Sequence, residues 1–175
     1  SHVCPFGQVE LMRSKDNGQT WSFPRVLLDS PIDDRDAGIL ETAKGSLLAT
    51  TFTSNAYDEY YLKKGTHKKW PEERRNQWLA AHNRVPADTR KSELGTWMIR
   101  STDGGVTWSP RYDSLVNSPH GPVNLKDGRG LYAGKNLWRE KTWVGVCEST
   151  DDGQSWERLA QIPTRKGDDP KDYHE

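Results

Sequence analysis

The run Asp33-Asp34-Arg35-Asp36 places three carboxylates around one guanidinium. That set suits the recognition of hydroxyls and carboxylates, and functional groups of this kind gather on exposed links between elements. Asp34 and Arg35 are read as substrate-binding and Asp36 as catalytic. The competing reading is a solvated loop closed by an internal Asp–Arg pair. His120 stands between Pro119 and Gly121, neighbours that hold a loop in a set conformation, so it is a ligand contact or a proton carrier. Trp138-Arg139 offers an aromatic face beside a guanidinium and is read as substrate-binding. Trp70, Trp78, Tyr60 and Tyr61 form either a ligand-stacking lid or a contact that packs their own segment onto its neighbouring strands.

The elements that must hold these residues are announced by a phrase written three times, S-x-D-x-G-x-[T/S]-W. It runs from Ser14 to Trp21, from Ser101 to Trp108 and from Ser149 to Trp156. Asp bonds to backbone amides ahead of it, Gly supplies a positive φ, and Ser/Thr hydroxyls tie the ends, so the phrase is a turn. Trp covers that turn with a large apolar face and one N–H. Asp16, Gly18, Trp21, Asp103, Gly105, Trp108, Asp151, Gly153 and Trp156 are therefore structural. Asp16-Asn17-Gly18 opens like a calcium loop but lacks its terminal Glu, and neither a metal nor a cofactor is expected.

A phrase recurring at such intervals signals a repeat architecture. Around each copy the alternation predicts short strands: 23–28, 38–40 and 46–52, 95–100, 111–116, 123–125, 131–133 and 141–148. The stretch 29–37 reads as a polar loop. Four antiparallel strands per cycle, with the phrase between the third and fourth, make a propeller blade. The wider gap before the second phrase is filled by an insertion, 54–94. There Trp70-Pro71-Glu72-Glu73 reads as a helix start and 78–81 as helical body. Alternation of chain direction puts the Asp33–Asp36 link, the Ser118–Pro122 link, the insertion, the Asn136–Arg139 turn and the segment 167–175 at one end. The phrases lie at the other, leaving the first end as the mouth where a ligand sits.

The chain of 175 residues, with 25 basic and 25 acidic side chains, gives no electrostatic case for nucleic acid or an anionic membrane. Its mean hydropathy of −0.94 is low, but eight tryptophans argue against disorder. Cys4 and Cys147 form neither a disulfide framework nor a metal spacing.

The repeated phrase resembles the Asp-box, the bacterial neuraminidase repeat of sialidases. Ser118-Pro-His120-Gly121-Pro122 leading to Asp127-Gly128-Arg129 is similar to a sialidase loop, strand and turn, and Tyr173-His174-Glu175 resembles the segment whose Glu partners a catalytic tyrosine. The resemblance implies an all-β, sialidase-like β-propeller. About three blades of four-stranded antiparallel sheets would be present in a single partial domain, 1–175, with the helical insertion 54–94. It implies glycoside hydrolase chemistry of the exo-α-sialidase type on terminal sialic acids or related acidic sugars. That chemistry uses arginines for the sugar carboxylate, a Tyr nucleophile polarised by Glu, and an Asp acid/base. Glu175 joins Asp36 and His120 as a catalytic candidate on that ground, in an incomplete site. The expected partners are a glycan substrate and the remaining blades of the propeller, and the expected location is secreted or periplasmic. The alternatives are a non-catalytic carbohydrate- or protein-binding Asp-box propeller and a purely architectural one.

Overall fold

Each Asp-box phrase closes a hairpin between two antiparallel strands. In the computed structural model, which describes residues 3–138 and 141–173, the first phrase joins β1 (Val9–Leu11) to β2 (Arg25–Leu28). The second lies between the third and fourth strands of a sheet ordered β3 (Asp33–Glu41), β4 (Leu47–Ser54), β5 (Gly95–Ser101) and β6 (Tyr112–Asp113). The third holds the same place in a sheet of β7 (Val123–Asn124), β8 (Gly130–Lys135), β9 (Val144–Ser149) and β10 (Glu157–Gln161). The fold is all-β, with three antiparallel sheets, two of them four-stranded. The β8–β9 register is continuous from Gly130↔Ser149 to Lys135↔Val144.

The chain divides into two compact units, 1–35 with 53–94, and 36–52 with 95–175. In the first, Val3, Ile32, Tyr57, Trp78 and Val85 form the core. The insertion contains α1 (Glu72–Asn83) and α2 (Ala87–Ser92) as well as shorter π and 3₁₀ turns. Pro71 precedes α1, and Glu72 and Glu73 occupy its first turn, where carboxylates favour the positive end of the helix dipole. Arg90 donates through Nη1 to the carbonyls of His82 and Val85, capping the far end. Trp78 is the hub of an aromatic cluster, 4.7 Å from Trp70, 5.6 Å from Tyr61 and 6.2 Å from Tyr57, ring centre to ring centre. Trp70, Trp78 and Tyr61 thus pack against one another within the insertion. Tyr60 is exposed.

In the second unit the core is Leu48, Met98, Val116, Tyr132, Cys147 and Trp156. Trp156 donates its indole N–H to the Met98 sulfur at 3.1 Å and meets Tyr132 edge-on. Burial pushes the Cys147 thiol up to about 11. Gly153 sits at φ 78°, and a Cβ there would come within 2.5 Å of Leu48 Cδ1, so both backbone and packing demand glycine.

Two expectations need correction. The stretch 29–37 is not all loop, because β3 begins at Asp33. The strand expected over 111–116 shrinks to Tyr112–Asp113. Leu115 takes φ 65°, and the Val116 N–H turns to the Ser114 carbonyl instead of a ladder partner.

Candidate functional site

The three Asp-boxes share one hydrogen-bond plan. In the first, the Ser14 hydroxyl donates to Asp16 Oδ1 at 2.8 Å, and the Thr20 N–H and hydroxyl donate to Oδ1 and Oδ2 at 2.9 and 2.6 Å. Asp103 receives the same bonds from Ser101 and Thr107, and Asp151 from Ser149 and Ser155. The residue after each Asp and the following Gly are both left-handed: Asn17 and Gly18, Gly104 and Gly105, Asp152 and Gly153. Two successive positive φ values explain why Gly, Asn and Asp alone occupy these places. The Thr20 hydroxyl, then its N–H and Ser14, hold the Asp16 carboxyl down at about 2, and Asp103 is pushed down by the matching set, Thr107 first. These carboxylates are saturated by local donors and do structural work.

Chemistry is better placed at the other ends of the strands in the second unit. A cavity of about 140 Å³ there is lined by Asp36, Phe52, Asn117, Pro119, Lys135, Leu137 and Tyr173. Asp36 has φ 46° and Trp138 φ 55°. Non-glycine residues in this region are uncommon, and such strain clusters at functional sites. Trp138 is 44% exposed and lies tilted over Phe52, with ring centres 5.8 Å apart. Asn117 and Lys135 exchange backbone bonds at 2.9 and 3.1 Å, fixing the link to the end of β8. The side-chain oxygen of Asn117 is buried and has no hydrogen-bond partner among the described residues.

Lys135 is half-buried, and its ammonium donates to the carbonyls of Lys171 and Tyr173, each at 2.9 Å. An ammonium has three donors, so one remains, and Lys135 forms no ion pair among the described residues. Tyr173 is held by its own hydroxyl, which donates to Asp168 Oδ2 and accepts from the Arg165 N–H, each at 2.9 Å. Beyond Lys135 and Tyr173 lies a second cavity of about 290 Å³, lined also by Ser118, Ala133, Gly134, Val144 and Ile162. Two cavities therefore share Lys135 and Tyr173.

Of the residues singled out from the sequence, Asp36 lines this cavity, and Trp138 covers it through Phe52. His120 is exposed on the loop whose Pro119 lines the cavity. That loop is pinned where Gly121 meets Gly38; a Cβ on Gly38 would lie 2.7 Å from the Gly121 nitrogen. Asp34 and Arg35 belong to the first unit. Asp34 is buried, accepting from the Ser30 N–H at 2.5 Å and the Thr53 hydroxyl at 2.6 Å, and Arg35 lies 3.9 Å from Asp33. Arg139 and Glu175 lie outside the described residues. Lys135, Asn117 and Phe52 were missed. The available signal was positional: Lys135 ends the return strand just before the turn that carries Trp138.

The BNR/Asp-box repeat family matches residues 12–23 and 99–110, and the third phrase makes the same hydrogen bonds. Sheets built on such repeats define a sialidase-like fold. Among solved structures, the chain is similar to a protein of unknown function from Dyadobacter fermentans DSM 18053 (TM-score 0.56, 21% identity, 95% of this chain and 47% of that one). It is also similar to the Hadza microbial sialidase Hz136 (TM-score 0.57, 17% identity, 89% of this chain and 31% of that one). The chain thus spans about half or less of the length of these proteins, and at these identities the likeness is one of fold. No curated protein sequence matches it.

Proposed function

We propose that the sheets are blades of a sialidase-like propeller and that the Asp36–Lys135 cavity is part of a site for terminal acidic sugars. The observation carrying this reading is a half-buried Lys135 that has no carboxylate partner among the described residues, on the same cavity as Asn117, whose side-chain oxygen has no partner among them either. A sugar carboxylate would supply the anion that Lys135 lacks, and a sugar hydroxyl the donor that Asn117 lacks. Asp36 is then the proton-transferring carboxylate, with His120 on the adjoining loop and Glu175 as further catalytic candidates. Arg139 keeps the role of a substrate-binding candidate for this site, and Asp34 and Arg35 stay separate substrate-binding candidates within the first unit. Under this reading the remaining blades supply the rest of the site, and the protein works on glycans in a secreted or periplasmic setting.

A second reading, carbohydrate binding without hydrolysis, is favoured by one feature. Asp36 is the one carboxylate among the described residues lining this cavity, whereas glycoside hydrolysis ordinarily recruits a pair of groups.

The test has two arms. N-acetylneuraminic acid is titrated into the chain and into Lys135→Gln and Lys135→Arg variants by calorimetry. Hydrolysis of a fluorogenic sialoside is followed with the chain, a longer parent polypeptide, and Asp36→Asn and Glu175→Gln variants. Binding is expected to weaken about tenfold in Lys135→Gln, the scale of one charge-assisted bond, and to survive in Lys135→Arg. Turnover lost in both carboxylate variants supports the hydrolase, and binding without turnover supports the second reading. Binding indifferent to Lys135→Gln, or none at all, refutes both.

A further inference from the structure

At the Asp-box end of the second unit lies a cleft of about 580 Å³, walled by the second and third boxes. β8 runs from Gly130, paired with Ser149 of the third box, to Lys135 at the cavity described above. The two places are therefore roughly 16 Å apart along the strand at about 3.3 Å per residue. Trp108 forms one wall. Its indole N–H donates to the Gly105 carbonyl at 3.2 Å, which sets the ring plane, and the ring is half-buried.

Most polar groups of the cleft are already committed. The Thr107 hydroxyl donates to Asp103 at 2.6 Å, the Tyr112 hydroxyl donates to the Gly153 carbonyl, and Ser109 bridges the Arg100 N–H and the Pro110 carbonyl. Arg100 donates through Nε to the Asp152 carbonyl and through Nη2 to the Asp152 carboxylate and Ser46. Among the described residues its Nη1 carries no bond, nor does the Thr102 hydroxyl, and Gln154 donates one amide N–H to the Asp151 carbonyl while its side-chain oxygen stays open.

What remains is the Arg100 Nη1 group, the second N–H and the side-chain oxygen of Gln154, and the Thr102 hydroxyl, arranged about a fixed aromatic face. The Arg100 charge is balanced by Asp152, so the cleft has no preference for an anion. We infer that it binds a neutral pyranoside, whose C–H face lies on the Trp108 ring while vicinal hydroxyls reach Arg100 Nη1, Thr102 and Gln154. Ligand sites take this form, with an apolar wall and a few placed polar groups. The inference is independent of the acidic-sugar site, because the two chemistries differ in charge.

The test is an NMR titration of the chain, labelled at its tryptophan indoles, with lactose, cellobiose, methyl α-mannoside and N-acetylneuraminic acid. The Trp108 signal is assigned through Trp108→Phe. A saturable shift of that signal with at least one neutral sugar is expected. The Kd should rise roughly 3–10-fold in Gln154→Ala and in Thr102→Val, the loss of one hydrogen bond each, and stay unchanged in Asp36→Asn. Both variants alter exposed side chains, so they retain the fold. No shift with any neutral sugar, a preference for N-acetylneuraminic acid at Trp108, or affinity that follows Asp36 instead of Gln154 overturns the inference.

Discussion

Truncating the tryptophan of each Asp-box to alanine should cost very different amounts, although the three motifs share one local structure. Trp156 is 9% exposed and Trp21 58% exposed, with Trp108 between them. Taking about 200 Å² for a Trp side chain and about 25 cal/mol per Å², burial is worth roughly 4.5 kcal/mol at Trp156 and roughly 2 kcal/mol at Trp21. The first figure matches the usual ~3–5 kcal/mol for removing a buried aromatic. Extended-chain areas inflate both values, so the difference is the firmer quantity. Trp156→Ala also strips the Met98 sulfur of its donor and Tyr132 of its edge-on neighbour. In a domain of this size each kcal/mol shifts Tm by about 2–4 °C. Calorimetry should therefore show a fall of roughly 9–18 °C for Trp156→Ala and about 4–8 °C for Trp21→Ala. Trp108→Ala should fall between them, and it shares its unit with Trp156, so those two compare within one transition. Equal losses at Trp108 and Trp156 would show that the turn itself, and not the core beneath it, uses the ring.

Two further outcomes follow from the same geometry. The Asp16, Asp103, Asp151 and Asp152 carboxyls are all held below the ordinary 3.8; at Asp151 and Asp152 burial pulls upward but hydrogen bonds outweigh it. A depressed folded pKa adds stability above the unfolded value and loses it as pH falls through the folded one, so cooperative acid loss is expected between about pH 4 and 2. Thr107→Val, which removes the strongest donor to Asp103, should be less stable than the parent at pH 7, with the gap closing in acid; denaturant midpoints across pH check this, and a constant gap would exonerate the carboxylate. Gly38→Ala would drive a Cβ into the Gly121 backbone and Thr50, costing about 1–3 kcal/mol as overpacking does. Hydrogen exchange should then quicken at Gly121, and unchanged protection there would mean that the His120 loop is not pinned by this contact.

Local chemistry was legible in the sequence and distant partnership was not. The hairpin phrases, the strands around them and the start of α1 could be read because Asp, Gly, Pro and alternating apolar residues act within a few positions. The Asp33–Asp36 run misled because charge in a row looks like a solvated link. The donors that let Asp34 sit inside β3 are Ser30 nearby and Thr53 across the sheet, and no local pattern announces the second. Asp36 and Trp138 were assigned to one end by counting strand direction, which places the ends of elements without knowing their neighbours. Lys135 escaped the same count because the return strand was read as ending at Ala133 instead of Lys135.

The position that differs most among the boxes shows how one motif serves different surroundings. The residue after each Asp must be left-handed, which Asn17, Gly104 and Asp152 all manage, so the turn is indifferent to which of them is present. The neighbourhood is not. Asp152 receives Thr42 at 2.5 Å and Ser46 at 2.6 Å, hydroxyls flanking the turn between β3 and β4, and Arg100 from β5. One side chain on the third box thus ties the two four-stranded sheets together where a glycine would leave three donors unmet. Arg100 and Asp152 are half-buried, and a hydrogen bond to a charged group contributes about 1.5–3 kcal/mol, so losing this tie should cost less than losing the Trp156 ring. The shared letters of the motif build the turn, and the free letter decides what the turn is fastened to.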